Sequence, residues 1–120
     1  MQKKHTLLFL LLVFISSLSF GQSDKDELKI GKYIVKISVN LDNTYGYEIY
    51  EFENLILTQK NKPYFSIPQG FSKKENVFTV AKWQISQLQQ NKKVPLYFNI
   101  DKAKEIGVSD EDLILKINNH

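Results

Sequence analysis

The chain is expected to fold as a small two-layer α+β domain: a three-stranded antiparallel β-meander covered by one amphipathic helix, with a short C-terminal helix or strand. Two observations lead there. Three short apolar runs between Tyr33 and Gln59 have strand character, and the intervals joining them are too short for the crossover that parallel pairing needs. After them, Glu75 to Gln90 carries apolar residues at helical spacing, which gives the sheet a cover.

The first strand is the clearest. Tyr33, Val35, Ile37, Val39 and Leu41 fall on one face, with Ile34, Lys36, Ser38 and Asn40 on the other, an alternation rich in β-branched residues. Asp42, Asn43 and Gly46 then supply turn chemistry. A second strand sets Tyr45, Tyr47 and Ile49 against Glu48, Tyr50 and Phe52, so a hairpin is the economical arrangement. Glu53-Asn54 makes the next turn, and Leu55 to Gln59 forms a third strand with Leu55 and Leu57 expected on one face.

In the helix, Val77, Phe78, Ala81, Ile85 and Leu88 lie within an arc of about 100 degrees, the width of a core-facing stripe. Lys82, Ser86, Gln89 and Gln90 form the polar side. Asn91-Lys92-Lys93 ends it, and Val94 to Phe98 is extended. Asp101 to Ile106 reads as a short helix, capped by Asn99 or Asp101 and closed by Gly107. The last segment is two-sided: Ser109 with Asp112 resembles a capping box, whereas Leu113, Leu115 and Ile117 alternate like a strand. A short helix or turn at 109–113 running into an extended tail is the expectation.

The N-terminus speaks to compartment. Lys3 and Lys4 precede an apolar run from Leu7 to Ile15, and Ser16-Ser17-Leu18-Ser19-Phe20-Gly21 ends on small residues. This is the pattern of a cleaved signal peptide over 1–21. Leu7 to Phe20 spans 14 residues, short of the roughly 20 a membrane-crossing helix needs. Residues 22–31 are then a flexible polar leader and 32–120 a single domain, exported to the periplasm or beyond, with no stable membrane span after cleavage.

Removing the signal also removes most of the apparent basicity. The chain has 16 basic residues, all lysine, and 13 acidic ones; without Lys3 and Lys4 the balance is 14 against 13, a net +1. Phosphate binders favour clustered Arg and Lys, so no nucleic-acid partner is expected. The absence of cysteine excludes disulfides, thiol nucleophiles, thiolate metal sites and a lipidated N-terminal cysteine.

Catalytic and metal-binding readings find little support. His120, at the end of the chain, is the single histidine after the signal, which argues against His-based triads and metal centres. Asp110-Glu111-Asp112 lacks the alternate spacing of a calcium loop and reads as helix-N-terminal charge. Glu48, Glu51 and Glu53 could include an acid/base pair but read as a solvated edge. No cofactor is expected.

Two features remain. Trp83 sits nearly opposite the apolar stripe, so either the C-terminal segment (Leu96, Phe98, Leu113, Leu115) buries it or it is an exposed anchor. The stretch from Lys62 to Phe71 holds two prolines, a glycine and three aromatics. It either carries the chain from sheet to helix, plugging the core with Phe65, Ile67 and Phe71, or presents a pre-organised surface for a peptide or sugar. The candidate binding surface is Pro63, Tyr64, Phe65, Ile67, Pro68, Gln69 and Phe71, together with Trp83.

The order Gly46-Tyr47, Gln59, Pro63, Ile67-Pro68, Gly70-Phe71, then Ala81, Ile85, Leu88 and Pro95, resembles an uncharacterised family of short exported Gram-negative bacterial proteins. That family, a domain of unknown function, carries a Gln-Pro-x-Ile-Pro run leading to Gly and Phe. Here the run is stretched by Lys-Asn-Lys and by Tyr64-Phe65-Ser66. The resemblance spans about Gly46 to Val108 and implies export and a single small domain, with no activity attached. The functional expectation is a non-enzymatic envelope or secreted module that binds a protein or glycan partner. The alternatives are a structural accessory subunit of an envelope complex, or a small carboxylate-based hydrolase or hydrolase inhibitor.

Overall fold

The computed structural model describes residues 26–91 and 93–116; residues 1–25, over which the signal peptide is expected, residue 92 and the last four residues lie outside them. Within that range the domain is α+β, with an antiparallel sheet on one side and helices on the other.

The sheet has four strands rather than three, in sequence order: β1 (Glu27–Ile30), β2 (Tyr33–Val39), β3 (Tyr45–Glu51) and β4 (Asn54–Gln59). The added strand lies in the segment expected to be a polar leader. It pairs antiparallel with β2 through a two-residue turn at Gly31-Lys32, where Gly31 takes φ 59°, a conformation glycine adopts without cost. Leu28 opposite Val35 and Ile30 opposite Tyr33 place both apolar residues of β1 against the core face. Two apolar residues in four are too few for an alternation to stand out, and that is why the strand was not expected.

A second correction concerns β4. Leu57 pairs with Ile49 and Leu55 with Tyr50, so Ile56 is an extra residue and the strand bulges there. The bulge shifts the phase of the pleat: Leu57 is buried while Leu55 is 51% exposed, and the two do not share a face.

Helix α1 (Lys74–Asn91) crosses the inner face of β2 and β3. Val77, Ala81 and Ile85 are buried as the stripe requires, and Phe78 and Leu88 are half-buried. Val80, Asn76 and Gln84 are buried as well, so the covered face is wider than the stripe. The extra width comes from the C-terminal third. Gln84 is tolerated inside because both ends of its amide are used: the Tyr47 hydroxyl donates to Oε1, and Nε2 donates to the Pro95 carbonyl at 2.8 Å.

Helix α2 (Ile100–Ile106) packs on α1. Asn99 caps it by accepting from the Lys102 N–H at 2.9 Å. Gly107, at φ 107°, ends it in a Schellman arrangement, with Gly107 N–H donating to Lys104 and Val108 N–H to Ala103. A short 3-10 turn follows at Asp110–Asp112. Ser109 does not close a capping box there, and its N–H donates to Asn76 Oδ1 of α1 at 2.9 Å.

Candidate functional site

The site grows out of the way residues 60–71 fold back. After Gln59 the chain leaves the sheet, and Phe71 takes the place beside β3 that a continuing strand would have held. Tyr45 and Phe71 exchange two backbone hydrogen bonds of 2.8 Å. Lys62 N–H donates to the Gln69 carbonyl at 2.7 Å, closing the loop on itself.

That closure requires glycines at two points. A Cβ on Gly46 would lie 2.7 Å from the Gln59 carbonyl oxygen, and one on Gly70 would lie 2.1 Å from Thr44 Oγ1. Gly46 and Gln59 meet there, and Gly70 and Phe71 follow on the returning chain. Their shared work is to let the loop approach the β2–β3 hairpin.

The loop aromatics turn inward. Tyr64 and Phe71 are buried, with ring centroids 6.3 Å apart, and Tyr64 also packs on Phe65 at 5.1 Å and Phe98 at 5.7 Å. The Tyr64 hydroxyl donates to the Asp112 carbonyl at 2.7 Å. Burial pushes the Tyr64 phenol well above its ordinary pKa, and burial does the same to Tyr47.

Beneath the loop lies an ion pair absent from the sequence expectations. Lys62 Nζ is 3.3 Å from Asp112 Oδ1, and the two side chains are 1% and 0% exposed. Asp112 Oδ1 also accepts from Ser72 N–H at 2.6 Å, while Oδ2 accepts from Lys73 N–H at 3.1 Å and Asn76 Nδ2 at 2.7 Å. The carboxylate thus serves a helix N-terminus, where its charge is favoured. For Asp112 that helix is α1 and not its own turn, which corrects the expectation for this residue, while Asp110 and Glu111 stand in the first turn of the 3-10 helix as helix-end charges. Burial lowers the Lys62 pKa from its ordinary value; the Asp112 charge offsets part of this, and nearby Lys116 adds to it.

What the loop leaves at the surface is a groove of about 530 Å³ between the β2–β3 turn and the chain at 60–61 and 68–70. Asn40 braces it, donating to Thr44 Oγ1 at 3.1 Å and to the Lys60 carbonyl at 2.9 Å. Asp42 Oδ1 accepts from Thr44 N–H at 3.1 Å and Thr44 Oγ1 at 2.6 Å, and these bonds hold its pKa below the usual carboxylate value. On the rim stand Val39, 65% exposed, and Leu41, fully exposed. An adjoining pocket of about 230 Å³ shares Asp42, Thr44, Gln69 and Gly70 and adds Lys62, Ser72 and Lys116.

The eight residues expected to form a binding surface separate into three groups. Pro63, Tyr64 and Phe71 are interior. Phe65 and Trp83 are half-buried, with Trp83 edge-on to Phe98 at 4.8 Å and Lys102 Nζ 5.9 Å from its ring. Ile67 and Pro68 are exposed, and Pro68 lines the groove with Gln69, whose amide pairs with both backbone groups of Lys116. Val39, Leu41, Asn40, Asp42 and Thr44 were not among the candidates. Leu41 carried a signal, an apolar residue at the end of an alternating strand next to turn residues.

The carboxylates of β3 do not converge. Glu48 and Glu51 are three apart in a strand paired regularly with β2, which puts them on opposite faces. Glu48 accepts from the Tyr50 hydroxyl at 2.8 Å, and Glu51 pairs with Lys32 at 2.8 Å. Among the described residues no group of three or more His, Cys, Asp or Glu could hold a metal ion, and no helix is long and apolar enough to cross a membrane.

Comparison with protein-family models, with curated proteins and with solved structures returned no match.

Proposed function

We propose that the chain is an exported, non-enzymatic module that binds an extended segment of a partner protein in the groove between the β2–β3 turn and residues 60–70. The observation that carries this reading is the pairing of exposed apolar side chains with a braced polar floor. Leu41 and Val39 stand in water at the rim, while Asn40 braces the floor by hydrogen bonds to Thr44 and Lys60, and Gly70 leaves room that a Cβ would take from Thr44. Covering a leucine-sized side chain contributes about 1.5 to 3 kcal/mol, and a floor already held in place loses little entropy on binding. A protein segment is preferred to a glycan because the Tyr64 and Phe71 rings that would stack on sugars are inside. Export is supported by the Lys3-Lys4, Leu7 to Ile15 and Ser16 to Gly21 pattern.

The test is affinity recovery from the native envelope with the wild-type protein and with Leu41→Asp as baits. One stoichiometric partner recovered by the wild type and lost with Leu41→Asp is the expected result. Equal recovery by both baits contradicts the groove as the binding surface.

A further inference from the structure

The smaller pocket beside the groove has an unusual distribution of charge. Two ammonium groups, Lys62 and Lys116, line one part of it. Lys62 pairs with the Asp112 carboxylate, whose two oxygens take four donors, from Ser72, Lys73, Asn76 and Lys62. It has no capacity left for Lys116. Among the described residues Lys116 Nζ meets only the neutral Ser72 hydroxyl, at 3.0 Å. Lys62, with three N–H donors, has Asp112 as its one carboxylate partner. The two cations also stand close enough for Lys116 to disfavour the charge on Lys62.

Asp42 lines the same pocket. Thr44 engages Oδ1, and a carboxylate with about four lone-pair sites keeps acceptor capacity beyond those two bonds. The pocket therefore presents donors for an anion together with one acceptor for an N–H. It adjoins the longer groove through Asp42, Thr44, Gln69 and Gly70, with the exposed Leu41 and Val39 on the far rim.

We infer that this pocket reads the free C-terminal carboxylate of the bound segment, with the exposed Lys116 donating to the carboxylate, the buried Lys62 charge behind it adding to the positive field, and Asp42 accepting from the backbone N–H of the last residue. The inference rests on the groove being the binding surface. A small pocket at the side of a longer groove suits a chain end, because the preceding residues then lie along Pro68, Leu41 and Val39. A hydrogen bond to a charged group contributes enough for about tenfold or more in affinity, so an end group without charge should be readily told apart.

The experiment is an amide chemical-shift titration of the 15N-labelled protein. Four probes are used: N-acetyl-Ala-Leu-Ala with a free carboxylate, the same peptide as its C-terminal amide, N-acetyl-Ala-Glu-Ala-amide, and sodium acetate. Saturable shifts at Thr44, Gly70, Ser72 and Lys116 are expected with the free acid, and binding at least about tenfold weaker with the other three. Lys116→Gln, at an exposed position, should keep the spectrum of the folded protein and lose the preference for the free acid.

Equal binding of acid and amide overturns the carboxylate reading and leaves the groove standing. No binding of either peptide overturns both. Equal binding of the internal glutamate peptide moves the recognition to a side-chain carboxylate and overturns the terminal one. Acetate binding as well as the free acid marks an adventitious ion only, and retention of the preference in Lys116→Gln removes the role given to that residue.

Discussion

The Lys62 ammonium stands 3.3 Å from the Asp112 carboxylate with both side chains withdrawn from water, and this contact ties the 60–71 loop to the C-terminal segment and to the start of α1. A buried pair contributes little net stability compared with an apolar replacement, but losing one partner is costly. The two partners are not equivalent. Asp112→Ala strands the Lys62 charge and unsatisfies Ser72, Lys73 and Asn76 donors, so a loss of about 3 to 5 kcal/mol is expected. Lys62→Met leaves Asp112 with three N–H donors and the helix N-terminus, and should cost clearly less. Urea midpoints of the two variants and of the double variant check the order, with the double variant losing less than the sum.

Stability should fall steeply in alkali. Tyr47 and Tyr64 have folded pKa values raised by burial, so their contribution is complete below the ordinary tyrosine value of about 10 and is lost as pH rises above it. Lys62 works in the opposite sense, since its folded value is lowered. Its contribution is present above the ordinary lysine value of about 10.4 and lost as pH falls. The two phenols outweigh one ammonium above about pH 10. Tyrosinate absorbance followed beside far-ultraviolet dichroism should show at least two of the six tyrosines ionising only as the chain unfolds.

Glycine replacements separate close approach from backbone conformation. Gly46→Ala puts a methyl 2.7 Å from backbone atoms of Gln59 and Lys60 and should cost about 3 kcal/mol or more, at the upper end of overpacking. At Gly107 a methyl meets nothing nearer than Thr79 at 3.9 Å, and the cost is that of φ 107° alone, about 1 kcal/mol. Thermal melts of the two alanine variants give the comparison directly.

Phe52 begins the tight turn between β3 and β4 at φ 57°, a conformation unfavourable for a bulky side chain, and is 66% exposed. Asparagine tolerates that region far better. Phe52→Asn should therefore raise stability by roughly 0.5 to 1 kcal/mol, read as an upward shift in the melting temperature.

The parts of the fold visible in the sequence are those where a period repeats often enough. β2, β3 and α1 each carry several apolar residues in phase, and Asn99 and Gly107 mark the ends of α2 by local chemistry. β1 escaped because Leu28 and Ile30 make a single repeat, and the bulge at Ile56 put Leu55 and Leu57 on different faces without any sequence mark. Lys62 and Asp112 are charged and sit among other charged residues, so burial was not suggested; their partners are far away along the chain. The first reading of Trp83, as a residue covered by the C-terminal segment, matches its contact with Phe98, although Leu96 remains 49% exposed. The groove was only half visible. Pro68 and Gln69 belonged to the expected surface, while its other wall comes from the β2–β3 turn, whose Leu41 had looked like the end of a core strand.

The most direct test of the account is site-specific photocrosslinking, with p-benzoylphenylalanine placed at Leu41 and, separately, at Phe52, both exposed apolar positions. In the native envelope the account predicts one discrete adduct from position 41 and none from position 52. No adduct at 41, or the same adduct from both positions, would contradict the groove as the site of binding.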